Sequence, residues 1–318
     1  MLDCCILDDY QNCAKDFADW NRLSSRVTPR FITEYLLDEA SVATRVGAAD
    51  ILIIMRERTP ITRSLLARLP HLKLLITSGM RNAAIDIAAC RERGIIVCGT
   101  DSFSEPPVEL TWALILAIAR GILPEANALK ANGPWQSSVG IDLKGATLGL
   151  LGFGKIGVQV ARIGKAFGMV VQAWSPNLSA ERTAAEGVAL APTKETLLRA
   201  ADFVSIHLVL GERSRGLIDA AALAAMKPTA FLVNTSRAAI VDGAALLQCL
   251  HAGGIAGAAS DVHEREPLPA DSPWRTAPRF LGLPHLGYVT KRNYKAYFTQ
   301  AVEDIEAWLA GSPMRLVG

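Results

Sequence analysis

Short apolar runs alternate with longer segments of helical periodicity along almost the whole chain. Residues 4–7, 51–55, 72–77, 147–151, 170–174, 203–206, 231–233 and 257–260 are short and largely apolar, the pattern of strands buried on both faces. Between them, 63–69, 155–167, 194–200 and 243–252 carry the spacing of helices. This alternation predicts an α/β protein whose parallel sheets are built from right-handed βαβ units.

The 318 residues are long for one core, which predicts two domains. A polar segment with two prolines, 101–107, precedes a long apolar helix expected over 108–123, and Pro134-Trp135 and the stretch 140–145 lead into the strand at Thr147. The expected division is a first domain over 1–100 and a second over 101–285, with a final helix over 294–309.

Composition adds little and excludes much. Apolar residues make up 50% and charged residues 20%, with a net charge of +2, so nothing draws the chain to nucleic acid or an acidic membrane by charge alone. The longest apolar run, 110–119, is far short of the roughly 20 residues that span a bilayer. The start carries an acid at Asp3 and no basic region, unlike a signal peptide. Six scattered cysteines with no C-x-x-C spacing fit reduced thiols in a cytoplasmic protein.

The sharpest local signal is Gly152-Phe153-Gly154-Lys155-Ile156-Gly157, placed where a strand ends and a helix opens. Gly152 permits the tight turn, Gly154 lets backbone approach a pyrophosphate, and Gly157 lets helix and strand pack closely. The free N–H groups at Lys155 and Ile156 then face an anion. About 20 residues on, an acid is expected for the cofactor ribose. Ser175-Pro176-Asn177 stands there, and Arg182 follows. Either Ser175 and Asn177 bond the ribose hydroxyls of NAD, or the absent carboxylate admits the 2′-phosphate of NADP.

Three polar residues lie at or near later strand ends: Arg237, Glu266 and His285. Reducing a 2-oxo acid needs an anchor for the carboxylate, a proton donor for the carbonyl oxygen, and a group that holds that donor. Arg grips carboxylates with a planar fork, His exchanges protons near neutrality, and a carboxylate beside it favours imidazolium. On residue type alone, His263 is a rival donor and Glu264 a rival acid. No second His or Cys at ligand spacing supports a metal.

In order and spacing, these motifs resemble the D-isomer-specific 2-hydroxyacid dehydrogenases, with Pro284-His285-Leu286-Gly287 closing the set. The resemblance covers nearly the whole chain. It implies a flavodoxin-like substrate domain made from both chain ends (1–100 completed by 286–318), a Rossmann-type NAD(P)-binding domain inserted between them, and an active site in the cleft. It also implies homodimers joined through the cofactor domains, with the helix around 109–119 taking part. It gives Arg237, Glu266 and His285 the roles above. It places Asp261 near the nicotinamide carboxamide and puts His207, Ser236 and Gly287 beside the cofactor. The backbone of Ser78, Gly79 and Met80 would meet the substrate carboxylate. Arg56, after a strand of the first domain, either adds a second cation suited to a phosphorylated or dicarboxylate substrate or is a solvated strand-end charge.

Departures from the family pattern fall at Ser175, at Val209, where proline is usual, at Arg81-Asn82-Ala83, and at Tyr288-Val289. They argue against copying any one member's substrate. Formate dehydrogenases of the same superfamily carry Gln where Glu266 stands. The reading is therefore an oxidoreductase passing a hydride between NAD(P)H and a 2-oxo acid, with glyoxylate, hydroxypyruvate, pyruvate and bulkier 2-oxo acids as candidates. The alternatives are an NAD(H)-sensing, corepressor-like binding protein on the same fold, which needs no intact Arg–Glu–His set, and another Rossmann enzyme without 2-oxo-acid chemistry.

Overall fold

A computed structural model describes all residues, Met1–Gly318. The chain forms two compact units: Met1–Phe103 with Val289–Gly318, and Ser104–Tyr288. The breaks lie a few residues beyond the expected ones, and the final helix, Lys291–Leu309, belongs to the first unit.

The first unit is built on five parallel strands, β1 (Leu2–Ile6), β2 (Val27–Phe31), β3 (Ile51–Ile54), β4 (Leu74–Thr77) and β5 (Ile96–Gly99), in the order β2-β1-β3-β4-β5. This is the flavodoxin-like order. β3 and β4 are buried along their whole length, which explains their unbroken apolar runs. The helices on this sheet start at side-chain caps: Asp38 accepts from Ser41 N, Thr62 from Leu65 N and Asp86 from Ala89 N. Helix Lys291–Leu309, capped by Thr290, buries Tyr294, Tyr297, Phe298, Ala301, Val302 and Ile305.

The second unit holds seven parallel strands: β6 (Thr147–Leu151), β7 (Val170–Trp174), β8 (Ala189–Leu190), β9 (Phe203–Ile206), β10 (Phe231–Asn234), β11 (Gly257–Ser260) and β12 (Phe280–Gly282). Their order is β12-β11-β10-β9-β6-β7-β8, the doubly wound nucleotide-binding arrangement with one strand added at the edge. The order reverses between β6 and β9, so the crevice that binds ligands in such sheets opens beyond Leu151 and Ile206.

The expected long helix over 108–123 is two helices. The first, Glu105–Ala119, starts earlier because Pro106 and Pro107 sit in its first turn, where no N–H is needed. It ends before Gly121, whose φ of +59° breaks the ladder, and Ile122–Lys130 follows. Neither helix is long and apolar enough to cross a membrane by itself.

Phe298 sits edge-on to Tyr294, with ring centroids 5.7 Å apart, and beside Trp20. It is 2% exposed. Phe298→Ala should cost about 3–5 kcal/mol in urea unfolding. A loss under about 1 kcal/mol would show that this corner repacks freely.

Candidate active site

The glycine motif forms the cradle its spacing implies. Gly152 has φ +103°, and a Cβ there would lie 2.4 Å from the His207 carbonyl oxygen. A Cβ on Gly157 would lie 2.3 Å from the Gly152 carbonyl oxygen, so only glycine lets helix Lys155–Ala166 meet the β6 turn. Gly154 is different. It caps the helix without a side-chain hydrogen bond, and open space lies where its Cβ would be. Uncapped amides beside an open volume at a helix start fit the pyrophosphate of a dinucleotide.

A cavity of about 540 Å³ lies further along the ends of the second sheet. Ser175, Pro176 and Asn177 line one side, and the 208–214 turn, with Glu212 and Arg213, lines the other. Ser214 Oγ fixes that turn, accepting from Gly211 N at 2.9 Å and donating to Val209 O at 2.7 Å. This cavity fits the adenosine end of the cofactor, with no carboxylate at the position of Ser175.

His285 and Glu266 come together. His285 Nδ1 is 2.7 Å from Glu266 Oε2, and Glu266 Oε1 accepts from His263 N at 2.8 Å. Burial alone would raise the Glu266 carboxyl, but the hydrogen bond and charge of His285 and the His263 amide bring it below its ordinary range. The rivals are placed elsewhere. His263 Nε2 is 3.0 Å from Leu283 O, and Glu264, an exposed residue, borders a small pocket with Trp274 and Phe280.

Behind His285 lies Asp261, 1% exposed. Its Oδ1 accepts from Leu286 N at 2.7 Å and its Oδ2 from Gly287 N at 2.8 Å. A Cβ at Gly287 would be 3.1 Å from Oδ2. His285 itself has φ +54°, in the left-handed region. Sequence reasoning missed this clamp, because no local pattern announces a bond from the end of β11 to the 286–287 backbone.

Arg237 follows β10 on a loop tied at both ends. Ser236 N donates to Asn234 Oδ1, Asn234 Nδ2 donates to Arg237 O, and Ser236 Oγ donates to Ile206 O at 2.9 Å. The Arg237 guanidinium donates to Ser236 O at 2.8 Å.

In the first unit, Ser78, Gly79 and Met80 follow β4. Ser78 N donates to Ile54 O and Gly79 N to Thr100 Oγ1, so two of the three amides expected to meet a carboxylate are committed within the fold. The amide of Met80 is left as the loop's donor. Arg56, with φ +53°, lays its Nη1 3.4 Å from Ser78 O and its Nε 3.7 Å from Glu57 Oε2. It is partly buried over the loop rather than a solvated strand-end charge.

His207 borders the cradle, its Nε2 2.9 Å from Ser205 Oγ. Burial pushes its imidazole down to about 4. The folded state therefore holds it neutral. Stability is complete above the unfolded value near 6.5 and falls as pH drops toward about 4. Thermal unfolding followed across that interval tests this. His207→Asn should lose less of its Tm on acidification than the parent, and equal losses would uncouple His207 from folding.

Residues 112–287 match the model of the D-isomer specific 2-hydroxyacid dehydrogenase, NAD binding domain. The chain is 37% identical over 278 residues to a D-3-phosphoglycerate dehydrogenase of Methanocaldococcus jannaschii, covering 86% of this chain and 52% of that protein. It thus spans about half the length of that relative. It is 39% identical over 257 residues to an (S)-sulfolactate dehydrogenase of Chromohalobacter salexigens, covering 80% and 83%. The crystal structure of a phosphoglycerate oxidoreductase from Vibrio cholerae superposes with a TM-score of 0.93 at 36% identity, over 98% of this chain and 100% of that one. With the cradle, the two sheet orders and these matches in hand, the chain belongs to the D-isomer specific 2-hydroxyacid dehydrogenase family.

Proposed function

We propose that the chain is an NAD(P)-dependent oxidoreductase interconverting a small 2-oxo acid and its D-2-hydroxy acid. The observation that carries this reading is the His285–Glu266 pair, 2.7 Å apart, in the unit that also holds the dinucleotide cradle. The nicotinamide cofactor, when bound, supplies or accepts the hydride. The residues for it are Gly152 to Gly157 at the pyrophosphate and the Ser175–Asn177 turn at the adenosine end. His207, Ser236, Asp261 and Gly287 belong to the same reading.

The remaining work falls to side chains of this chain. In the second unit the planar fork of Arg237 is the group suited to bind the substrate carboxylate, and in the first unit the Ser78–Met80 loop is the backbone suited to it. His285 Nδ1 is occupied by Glu266, so Nε2 is the nitrogen that gives its proton to the carbonyl oxygen and takes it back in the oxidative direction. Glu266 stays ionised and holds the ring. Arg56 over the loop supports a substrate with a second anionic group, a feature that phosphoglycerate and sulfolactate share.

We also infer a homodimer. The helix Glu105–Ala119 buries Thr111, Trp112, Leu114 and Ile115 within its own unit, so it offers less surface than the family resemblance implies. The exposed apolar side chains lie just after it: Ile122, Leu129, Trp135 (79% exposed) and Val139 (98%). A groove of about 460 Å³ between Leu129 and Trp135 adds shape to that face. Such a patch supports a second copy as its cover. A cytoplasmic location completes the reading, supported by six free thiols.

Initial rates of NADH and NADPH oxidation with glyoxylate, hydroxypyruvate, pyruvate and bulkier 2-oxo acids test the reaction. Turnover with one of them is expected, and His285→Ala should lower kcat by roughly 10²-fold or more with nucleotide affinity retained. Unchanged turnover would remove His285 from the chemistry. Bound NADH without turnover on any acid would favour a nucleotide-sensing protein instead. For assembly, light scattering should give twice the chain mass, and Trp135→Glu with Val139→Asp should shift it to the monomer. A parent that is already monomeric would sink the dimer.

A further inference from the structure

The substrate loop is supported from a distant part of the chain. Residues 315–317 run antiparallel along the free edge of β5. Gly99 N donates to Arg315 O, Val317 N donates to Val97 O, both at 2.9 Å, and Leu316 bridges Cys98. Arg315 fastens this segment to the helix Lys291–Leu309. Its Nε donates to Asp304 Oδ1 at 2.9 Å, and its Nη2 donates to Gln300 O at 2.9 Å and Glu303 Oε2 at 3.0 Å. Asp304 is wholly buried, and its second carboxylate oxygen has no partner, so Arg315 is the counter-charge that this interior site requires.

The segment meets the loop at Gly99. A Cβ on Gly99 would lie 2.8 Å from Gly79 O, 3.0 Å from Met80 Sδ and 3.0 Å from Val317 Cγ2. Three groups from two distant stretches of sequence, 79–80 and 317, therefore close on the space left by one missing side chain. The neighbouring residues point the same way. Thr100 Oγ1 accepts the Gly79 amide, and Asp101 exchanges two hydrogen bonds with the Gln300 side chain. The helix that holds Arg315 thus also holds the strand exit on which the loop rests.

We propose that the segment 315–317, latched by Arg315 to Gln300, Glu303 and Asp304, is a positioning element for the carboxylate-binding loop. Val317 packs at Gly99, where it limits the travel of Gly79 and Met80, and so sets the direction of the Met80 amide. This rests on the reading of 78–80 as a substrate-carboxylate site. Arg315 and Val317 are positioning residues, not catalytic ones. Their effect falls on substrate binding rather than on hydride or proton transfer.

The test uses the full chain with Arg315→Met and, separately, Val317→Ala, which leaves the buried ion pair intact should Arg315→Met fail to fold. In each, KM for the best 2-oxo acid should rise roughly tenfold, with kcat and the NADH Kd changed less than about twofold. Hydrogen exchange at the 78–81 amides should accelerate, with the cradle at 152–157 unaffected. Gly79→Ala, forced to φ +88° with its Cβ 2.2 Å from Arg56 Nη1, reports on the loop itself. If Gly79→Ala raises KM while Val317→Ala changes neither KM nor exchange, the positioning proposal is overturned and the loop reading stands. Faster exchange with an unchanged KM overturns it too. If Gly79→Ala leaves KM unchanged, the loop reading falls and the proposal falls with it.

Discussion

A buried carboxylate governs the geometry of the proposed proton donor. Asp261 is almost fully enclosed, and burial raises its pKa against the pull of two backbone amides, Leu286 and Gly287, that donate to its two oxygens. A left-handed non-glycine residue such as His285 costs on the order of 1–3 kcal/mol. A hydrogen bond to a charged acceptor contributes about 1.5–3 kcal/mol. These two bonds act against that strain and hold the backbone at 285–287 in a conformation it would not choose alone. That conformation aims Nδ1 of His285 at Glu266, whose other oxygen is held by the His263 amide. The pair is thus placed by backbone held from outside the pair itself, and small losses there would propagate to the ring.

The same logic appears at larger scale in each sheet. A doubly wound sheet sends its connections to opposite faces where the strand order reverses, and the loops part there. In the second unit this happens between β6 and β9, whose following residues are Gly152 and His207. The two backbones approach so closely that a side chain at Gly152 would strike the His207 carbonyl. In the first unit the reversal lies between β1 and β3, followed by Asp8 and Arg56, both with positive φ. Asp8 is buried against Thr59 and Tyr10, and Arg58 donates to its carbonyl oxygen. Parallel topology thus creates the crevices, and unusual backbone at their rims orients the polar groups.

Legibility in the sequence followed from locality. Strands buried on both faces announce themselves as apolar runs, though β5 (Ile96–Gly99), a run of that kind, was missed; eight were visible. β2 was not, because Thr28, Pro29 and Arg30 interrupt it; a strand at the sheet edge tolerates a proline that a central strand would not. β8 is two residues long and β12 three, too short to carry a period. The helix break at Gly121 was hidden because the apolar run continues across it. Within the site, the glycine motif is legible because its chemistry is local. That Glu266 rather than Glu264 meets His285 rather than His263 follows from which side chains the 261–266 turn points together, and residue type cannot settle that. The Arg315–Asp304 latch and the convergence at Gly99 join positions with no shared local pattern.

The internal pairing of the 78–80 loop limits how the loop could hold a carboxylate in the proposed reading. A nest of free amides binds an anion through several bonds whose small misalignments average out. Here Ser78 N and Gly79 N are already used to fix the loop to β3 and to Thr100. In the proposed reading, an anion at this loop is left with one amide, that of Met80. With fewer donors, each bond's direction matters more, because a hydrogen bond weakens steeply as its angle falls. Rigidity bought at Ser78 and Gly79 is therefore useful only if Met80 is rigid as well. Met80 has no regular secondary structure to hold it and is 42% exposed. The constraint on it must come from packing of its side chain and of the preceding carbonyl, and Gly99 is where the structure supplies that packing.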